Sequence, residues 1–181
     1  MNKKIRWITE TAVMLALLVS LQALTKPLGQ LVTGSCVNCV LAVATLVGGP
    51  LCGLVIALVS PVLAFLLGIT LQFLTVPAIM IGNSVYVILL ALLLANKDCK
   101  IVKQTVSLVI AAAAKFAVLY LIVAKIICGV LAPSLLAAGA LKEPMLKLLP
   151  ATFSWPQLFT ALIGGLIALL IVPALRKALH K

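Results

Sequence analysis

Long apolar runs separated by short polar interruptions dominate this chain, and the length of the runs carries the first information. A helix that crosses a bilayer needs about 20 mainly apolar residues, within a range of about 17–25. One such run covers 8–25. A nearly uncharged block then reaches from Leu31 to Asn96, which is too long for a single helix. Gly48, Gly49 and Pro50 break it once. The stretch from Gly68 to Pro77, with Thr70, Gln72 and Thr75 inside it, breaks it again. Glycine and proline punctuate helices in this way, so the block divides into spans over 32–47, 51–67 and 73–95. A fifth span covers 104–131 and a sixth covers 155–175. The apolar positions are continuous rather than alternating, which predicts helices and not barrel strands. The expected fold is an all-α integral membrane protein, one membrane domain over 1–181 with six transmembrane helices. The short second and third spans leave open a helical hairpin that does not fully cross.

Composition agrees with this class. Of 181 residues, 65% are hydrophobic and 9% charged, against roughly 45–50% and about 25% for soluble domains. Charge then orients the spans. Basic residues gather on the cytoplasmic side of short loops. With six spans and a cytoplasmic N-terminus, Lys3, Lys4, Arg6, Lys97, Lys100, Lys103, Arg176, Lys177 and Lys181 fall inside. Only Lys26, Lys142 and Lys147 fall outside, and Lys115 and Lys125 lie within the fifth span. Both termini are therefore expected in the cytoplasm. The net charge of +11 reads as a topology signal. It is divided among tails and loops and forms no single stripe, so no nucleic-acid partner is expected. The N-terminal run also has the look of a signal peptide with cleavage near Ala23; retention as a span is the preferred reading.

Catalytic chemistry is sparsely provided. The acidic residues are Glu10, Asp98 and Glu143, and the one histidine is His180. No paired carboxylates, no Ser-His-Asp set and no phosphate-binding G-x-x-x-x-G-K-[ST] run is present. The chain is expected to be no enzyme and to carry no cofactor and no metal. Cys36 and Cys39 share a helix face at i, i+3. A metal or disulfide role is conceivable there, but no histidine or carboxylate stands near in sequence to complete a site. Apolar packing is the preferred reading. Cys52, Cys99 and Cys128 show no pattern.

In lipid, helices associate through close packing, so small residues mark contact faces. The first span carries Ala12, Ala16 and Ser20 at four-residue intervals, and the sixth carries Ala161, Gly164, Gly165 and Ala168. For the sixth span internal packing is the better reading. For the first, spacing alone does not choose between internal packing and an external partner.

A chain of about 180 residues with six spans, a cytoplasmic N-terminus and Ala12-Val13-Met14-Leu15-Ala16 in the first span resembles the substrate-binding S component of an energy-coupling factor (ECF) vitamin transporter. The motif is short, while the architectural likeness covers the whole chain. The resemblance implies that Ala12 and Ala16, with Ser20 on the same ridge, dock onto a membrane coupling subunit driven by two ATPase subunits. It also implies a prokaryotic cell membrane, a small water-soluble vitamin, precursor or related micronutrient as substrate, and a toppling of the whole binding protein during transport. The runner-up reading is a self-contained small secondary transporter or channel. The spans offer no carboxylate for ion coupling, which counts against it.

Polar side chains within a span are costly and each needs a reason. Lys115 lies roughly 16 Å into the fifth span, near the middle of a core about 30 Å thick. No acidic side chain within a span can pair with it. Three readings stand: it lines a polar or ligand cavity, it snorkels inward, or it meets another subunit. Lys125 sits near the outer boundary and either snorkels or closes the cavity from above. Asn38, Gln72, Asn83 and Gln157 are the outer-half amides, and Trp155 offers either an interfacial anchor or a stacking face. The second, fourth and sixth spans begin on the outside, so their N-termini present positive dipole ends there. With the lysines, this predicts a ligand bearing a carboxylate, phosphate or similarly electron-rich group. The connections 25–33 and 132–153 are the candidate lids; the second is too apolar for a free linker.

Overall fold

The computed structural model describes residues 2–69, 72–94 and 100–179, and every regular element among them is helical. Thr70, Lys97, Asp98, Cys99, His180 and Lys181, which entered the topology and inventory arguments above, lie outside the described residues, as does the end of the predicted fourth span.

Helix α1 runs over Lys3–Thr25, with the Asn2 side chain accepting from the Lys4 N–H at its start. A single 3-10 turn, Lys26–Leu28, leads into α2, Gln30–Gly48. Gly49 then takes φ of 96°, a left-handed conformation that a side chain would strain. Pro50 opens α3, Pro50–Leu66, in the first turn, where its missing N–H is harmless. The Gly-Gly-Pro break is thus a tight turn between antiparallel helices. A 3-10 turn over Phe73–Thr75 precedes α4, Val76–Leu93. Helix α5, Ile101–Leu119, continues directly into a π-helix over Tyr120–Val130. Two short helices follow, α6 (Ala132–Ala137) and α7 (Glu143–Thr152), and α8 covers Trp155–Ala178.

Five helical stretches among the described residues are long and apolar enough to cross a membrane: 3–28, 30–48, 73–93, 101–130 and 143–178. Helix α3 is apolar but has 17 residues, a length of about 26 Å.

Helix α2 is the hub. Its segment from Val40 to Thr45 is buried on every side, and its closest neighbour is α8. Glycines set that approach. A Cβ on Gly164 would strike the backbone of α2 at Ser35 and Cys39, and one on Gly34 would strike the Thr160 side chain. Ala161, Gly164, Gly165 and Ala168 are all buried, so the small face of the sixth span is internal. In α1 the result is the opposite: Ala12, Ala16 and Ser20 are exposed, and Thr11 and Leu18 are the residues that face the bundle. A second apolar cluster joins Ala78 of α4, Leu119 and Val123 of the fifth span, and Leu141, Leu149 and Phe153 from the 132–153 segment. That segment is anchored by its own leucines, as its composition required.

Both described chain ends lie at one end of the bundle. Lys3 and Arg6 of α1 and Arg176 of α8 border the same cavity as the Gly48–Pro50 turn, and the Arg176 Nη2 donates to the Leu46 carbonyl at 2.8 Å.

Candidate functional site

At the opposite end, a cavity of about 250 Å³ is enclosed by α1, α2, α4, α5, α7 and α8. Lys115 lies at its inner limit. The side chain is 2% exposed. Its Nζ donates to Asn38 Oδ1 of α2 at 2.5 Å and to Asn83 Oδ1 of α4 at 2.7 Å. The Tyr86 ring stands 5.5 Å from the amine, measured to the ring centroid. An ammonium has three donors, so two are committed to these amides. The amides are held in turn. Asn38 Nδ2 donates to the Gly34 carbonyl at 2.8 Å and to Thr160 Oγ1 at 3.3 Å. Tyr86 Oη donates to the Ala161 carbonyl at 3.1 Å. A buried polar network of this kind has little freedom to rearrange, because each unpaired member would cost about 1–3 kcal/mol.

Nearer the mouth the walls are carboxamides and hydroxyls: Gln22, Gln30, Thr33, Gln72, Thr75, Thr152 and Gln157. Gln157 Nε2 donates to the Thr152 carbonyl at 3.3 Å, which ties α8 to the end of α7. Gln22 Oε1 is buried without a hydrogen-bond partner among the described residues. Helix α7 lies over the site with Met145, Leu148, Leu149 and the adjoining Phe153. The first turns of α2 and α8 and the entry to α4 also border the cavity, through Gln30, Gln157 and Thr75. Their positive dipole ends favour an anion there. Lys115 carries the one formal charge among the described lining residues.

Of the residues singled out from the sequence, Asn38, Gln72, Asn83, Lys115 and Gln157 meet in this cavity, and two do not. Lys125 is exposed, with its amine 5.8 Å from the Tyr120 ring centroid. The expectation that it borders the cavity assumed an unbroken α-helix. The π-helix from Tyr120 onward advances by fewer degrees per residue and turns Lys125 away from the Lys115 face. Trp155 is 62% exposed and stacks on Phe116, with ring centroids 5.5 Å apart. It stands two positions before Gln157, and residues two apart on a helix point to nearly opposite sides. Only Gln157 can face inward. Of the two proposed lids, 132–153 covers the cavity through α7; in 25–33 the turn at Lys26–Leu28 is exposed, while Gln30 and Thr33 line the cavity. Lys26 Nζ donates instead to the Gly68 carbonyl at 2.7 Å.

Gln22, Gln30, Thr33, Thr75 and Thr152 were not anticipated. The glutamines carried a usable signal, since each is a carboxamide next to a predicted span end. The threonines did not. Thr152 bonds the Leu148 carbonyl four residues back, a common use of threonine in helices, and Thr33 bonds the Thr25 carbonyl at the end of α1.

A family model described as "ECF transporter, substrate-specific component" matches residues 6–176. The chain belongs to that family. Comparisons with curated proteins and with solved structures returned no match. As an ECF substrate-specific component, the protein is a multi-pass membrane protein and the substrate-binding part of a transporter. Family membership also implies association with coupling and ATPase subunits. The Ala12, Ala16 and Ser20 ridge is left uncovered by the rest of this S component.

Proposed function

We propose that this chain is the substrate-binding subunit of an ATP-driven importer. It captures a small water-soluble vitamin, vitamin precursor or related micronutrient outside the cell and delivers it to the cytoplasm. ATP hydrolysis falls to two ATPase subunits, linked through a membrane coupling subunit that docks on Ala12, Ala16 and Ser20. Both termini are assigned to the cytoplasm of a prokaryotic cell, because the basic residues concentrate at that end.

The observation that carries this reading is the amine of Lys115, held by Asn38 and Asn83 at the inner limit of the cavity. A buried cation oriented by two amide oxygens, with three helix N-termini nearby, favours a carboxylate, a phosphate or an electron-rich carbonyl. The volume of about 250 Å³ is below the roughly 300–1,000 Å³ of pockets for drug-sized ligands, so the ligand is small. The carboxamides at the mouth offer both donors and acceptors and suit a polar heterocycle or an amide-bearing ligand.

Mass spectrometry of small molecules retained by the detergent-purified protein tests this. Wild type is expected to carry a compound with an anionic or electron-rich group, and Lys115→Met to lose it. Retention of a cationic amine, or retention indifferent to Lys115→Met, refutes the assignment. Substrate uptake by the chain alone in liposomes, without ATPase subunits, would favour a self-contained secondary transporter.

A further inference from the structure

A second cavity lies at the other end of the bundle. It measures about 640 Å³, and its described lining residues include three cations, Lys3, Arg6 and Arg176, against one carboxylate, Glu10. Arg6 Nε donates to Glu10 Oε1 at 2.9 Å, with the Arg6 side chain 45% exposed. Arg176 reaches across from the last turn of α8 to the Leu46 carbonyl. Each guanidinium keeps further N–H donors beyond the one used. The turn at Gly49 and Pro50 sits in the wall, where α2 ends and α3 begins, so the helix dipoles there oppose one another and the side-chain cations set the sign of the site. Two observations therefore converge on an anion: a cavity, and an excess of cations over carboxylates among its described lining residues.

Trp7, Ala91 and Leu94 give the wall an apolar side, opposite Thr45 and the last turn of α2. A second, shallower groove of about 360 Å³ adjoins it, sharing Lys3 and Trp7 and adding Lys4 and Ile8. Ile8 and the neighbouring Ile5 are more than half exposed on the outer surface of α1. The site thus has a cationic interior and an apolar side exit beside a tryptophan. A freely dissolved anion has no use for such an exit. A lipid does, because its acyl chains must remain in the bilayer while its phosphate is held.

We infer that the cavity bordered by Lys3, Arg6 and Arg176 binds the phosphodiester headgroup of an anionic phospholipid, whose acyl chains leave past Trp7 and Ile8. Basic pockets between transmembrane helices take anionic headgroups by the same electrostatics. Glu10 lowers the positive charge of the site and therefore tunes its affinity. The site is separate from the Lys115 cavity and does not depend on the function proposed for it.

Trp7 is placed to report occupancy. The chain has two tryptophans, so Trp155→Phe leaves Trp7 as the single indole. The full-length Trp155→Phe protein is reconstituted in phosphatidylcholine vesicles containing either dibrominated phosphatidylglycerol or dibrominated phosphatidylcholine, and quenching of Trp7 is compared. Binding at Trp7 is expected to favour phosphatidylglycerol on the order of fivefold per basic residue engaged. Arg6→Gln and Lys3→Gln should each reduce the preference severalfold, and Glu10→Gln should raise it. Lys3 is exposed, so its substitution leaves the fold in place even where Arg176→Gln does not. Equal quenching by the two lipids overturns the inference, as does a preference unchanged in Lys3→Gln, Arg6→Gln and Glu10→Gln. Loss of the preference on adding millimolar glycerol 3-phosphate would mean that a soluble phosphate is the occupant. Loss of it on adding an acidic peptide would mean a protein segment is; either result refutes the lipid assignment.

Discussion

Lys115 shows how one side chain organises a membrane-embedded site. Its amine joins α2, α4 and α5 through Asn38 and Asn83. Lys115→Met removes the donor and leaves two amide oxygens short of a partner, at about 1–3 kcal/mol each. Thermal unfolding in detergent is expected to begin at lower temperature in this variant. Combining Lys115→Met with Asn38→Leu and Asn83→Leu removes the orphaned oxygens as well. Much of the lost stability should then return, while ligand retention should stay absent. Recovery of both, followed by melting curves and mass spectrometry, would refute the proposed part of Lys115 in binding. Lys115, Asn38 and Asn83 were legible from sequence because polar groups in apolar spans need a partner or a purpose. Gln22 and Gln30 were less so, since an amide near a span end is also satisfied by interfacial water. Trp155 misled because its chemistry suits two places, and only its position relative to Gln157 decides between them.

Among the helices, α1 and α8 carry the same kind of small-residue pattern and use it differently. Gly164 lies where a side chain would collide with α2 backbone, which cannot yield as a flexible side chain can. Gly164→Val is expected to lower stability by about 1–3 kcal/mol or more, read as a fall in melting temperature and in yield of folded protein. Ala12→Trp and Ala16→Trp face outward and should leave melting unchanged. They are expected to abolish capture of the coupling subunit on co-purification; undiminished capture would place the docking surface elsewhere. The π-helix over Tyr120–Val130 has no counterpart in the sequence pattern. Hydropathy reports that a stretch is apolar and helical in kind, and it does not distinguish i→i−4 from i→i−5 bonding such as that from Leu131 to Ile126. That difference is what moved Lys125 off the cavity.

For the molecule as a whole, two cavities lie at opposite ends of one bundle, one with its charge buried under α7 and the other open and rimmed by cations. Lys142 lies beside α7 and Lys177 beside Arg176, and both are exposed. In a background without the native cysteines, Lys142→Cys is expected to react with a membrane-impermeant maleimide in intact cells. Lys177→Cys should react only after permeabilisation. The reverse pattern would invert the assigned orientation, and labelling of both from outside would contradict a transmembrane arrangement with opposed ends.

Apolar run length, the Gly48-Gly49-Pro50 break and the distribution of lysine and arginine were enough to specify a helical membrane protein and the approximate place of its helices. Those properties are local or summed along the chain, and the bilayer tests them segment by segment. Which small face is buried, which amide meets Lys115 and which way Lys125 and Trp155 point depend on rotations of whole helices about their axes. Close contacts such as Gly164 against α2 set those rotations, between residues far apart in sequence. Spacing along a single helix does not contain them.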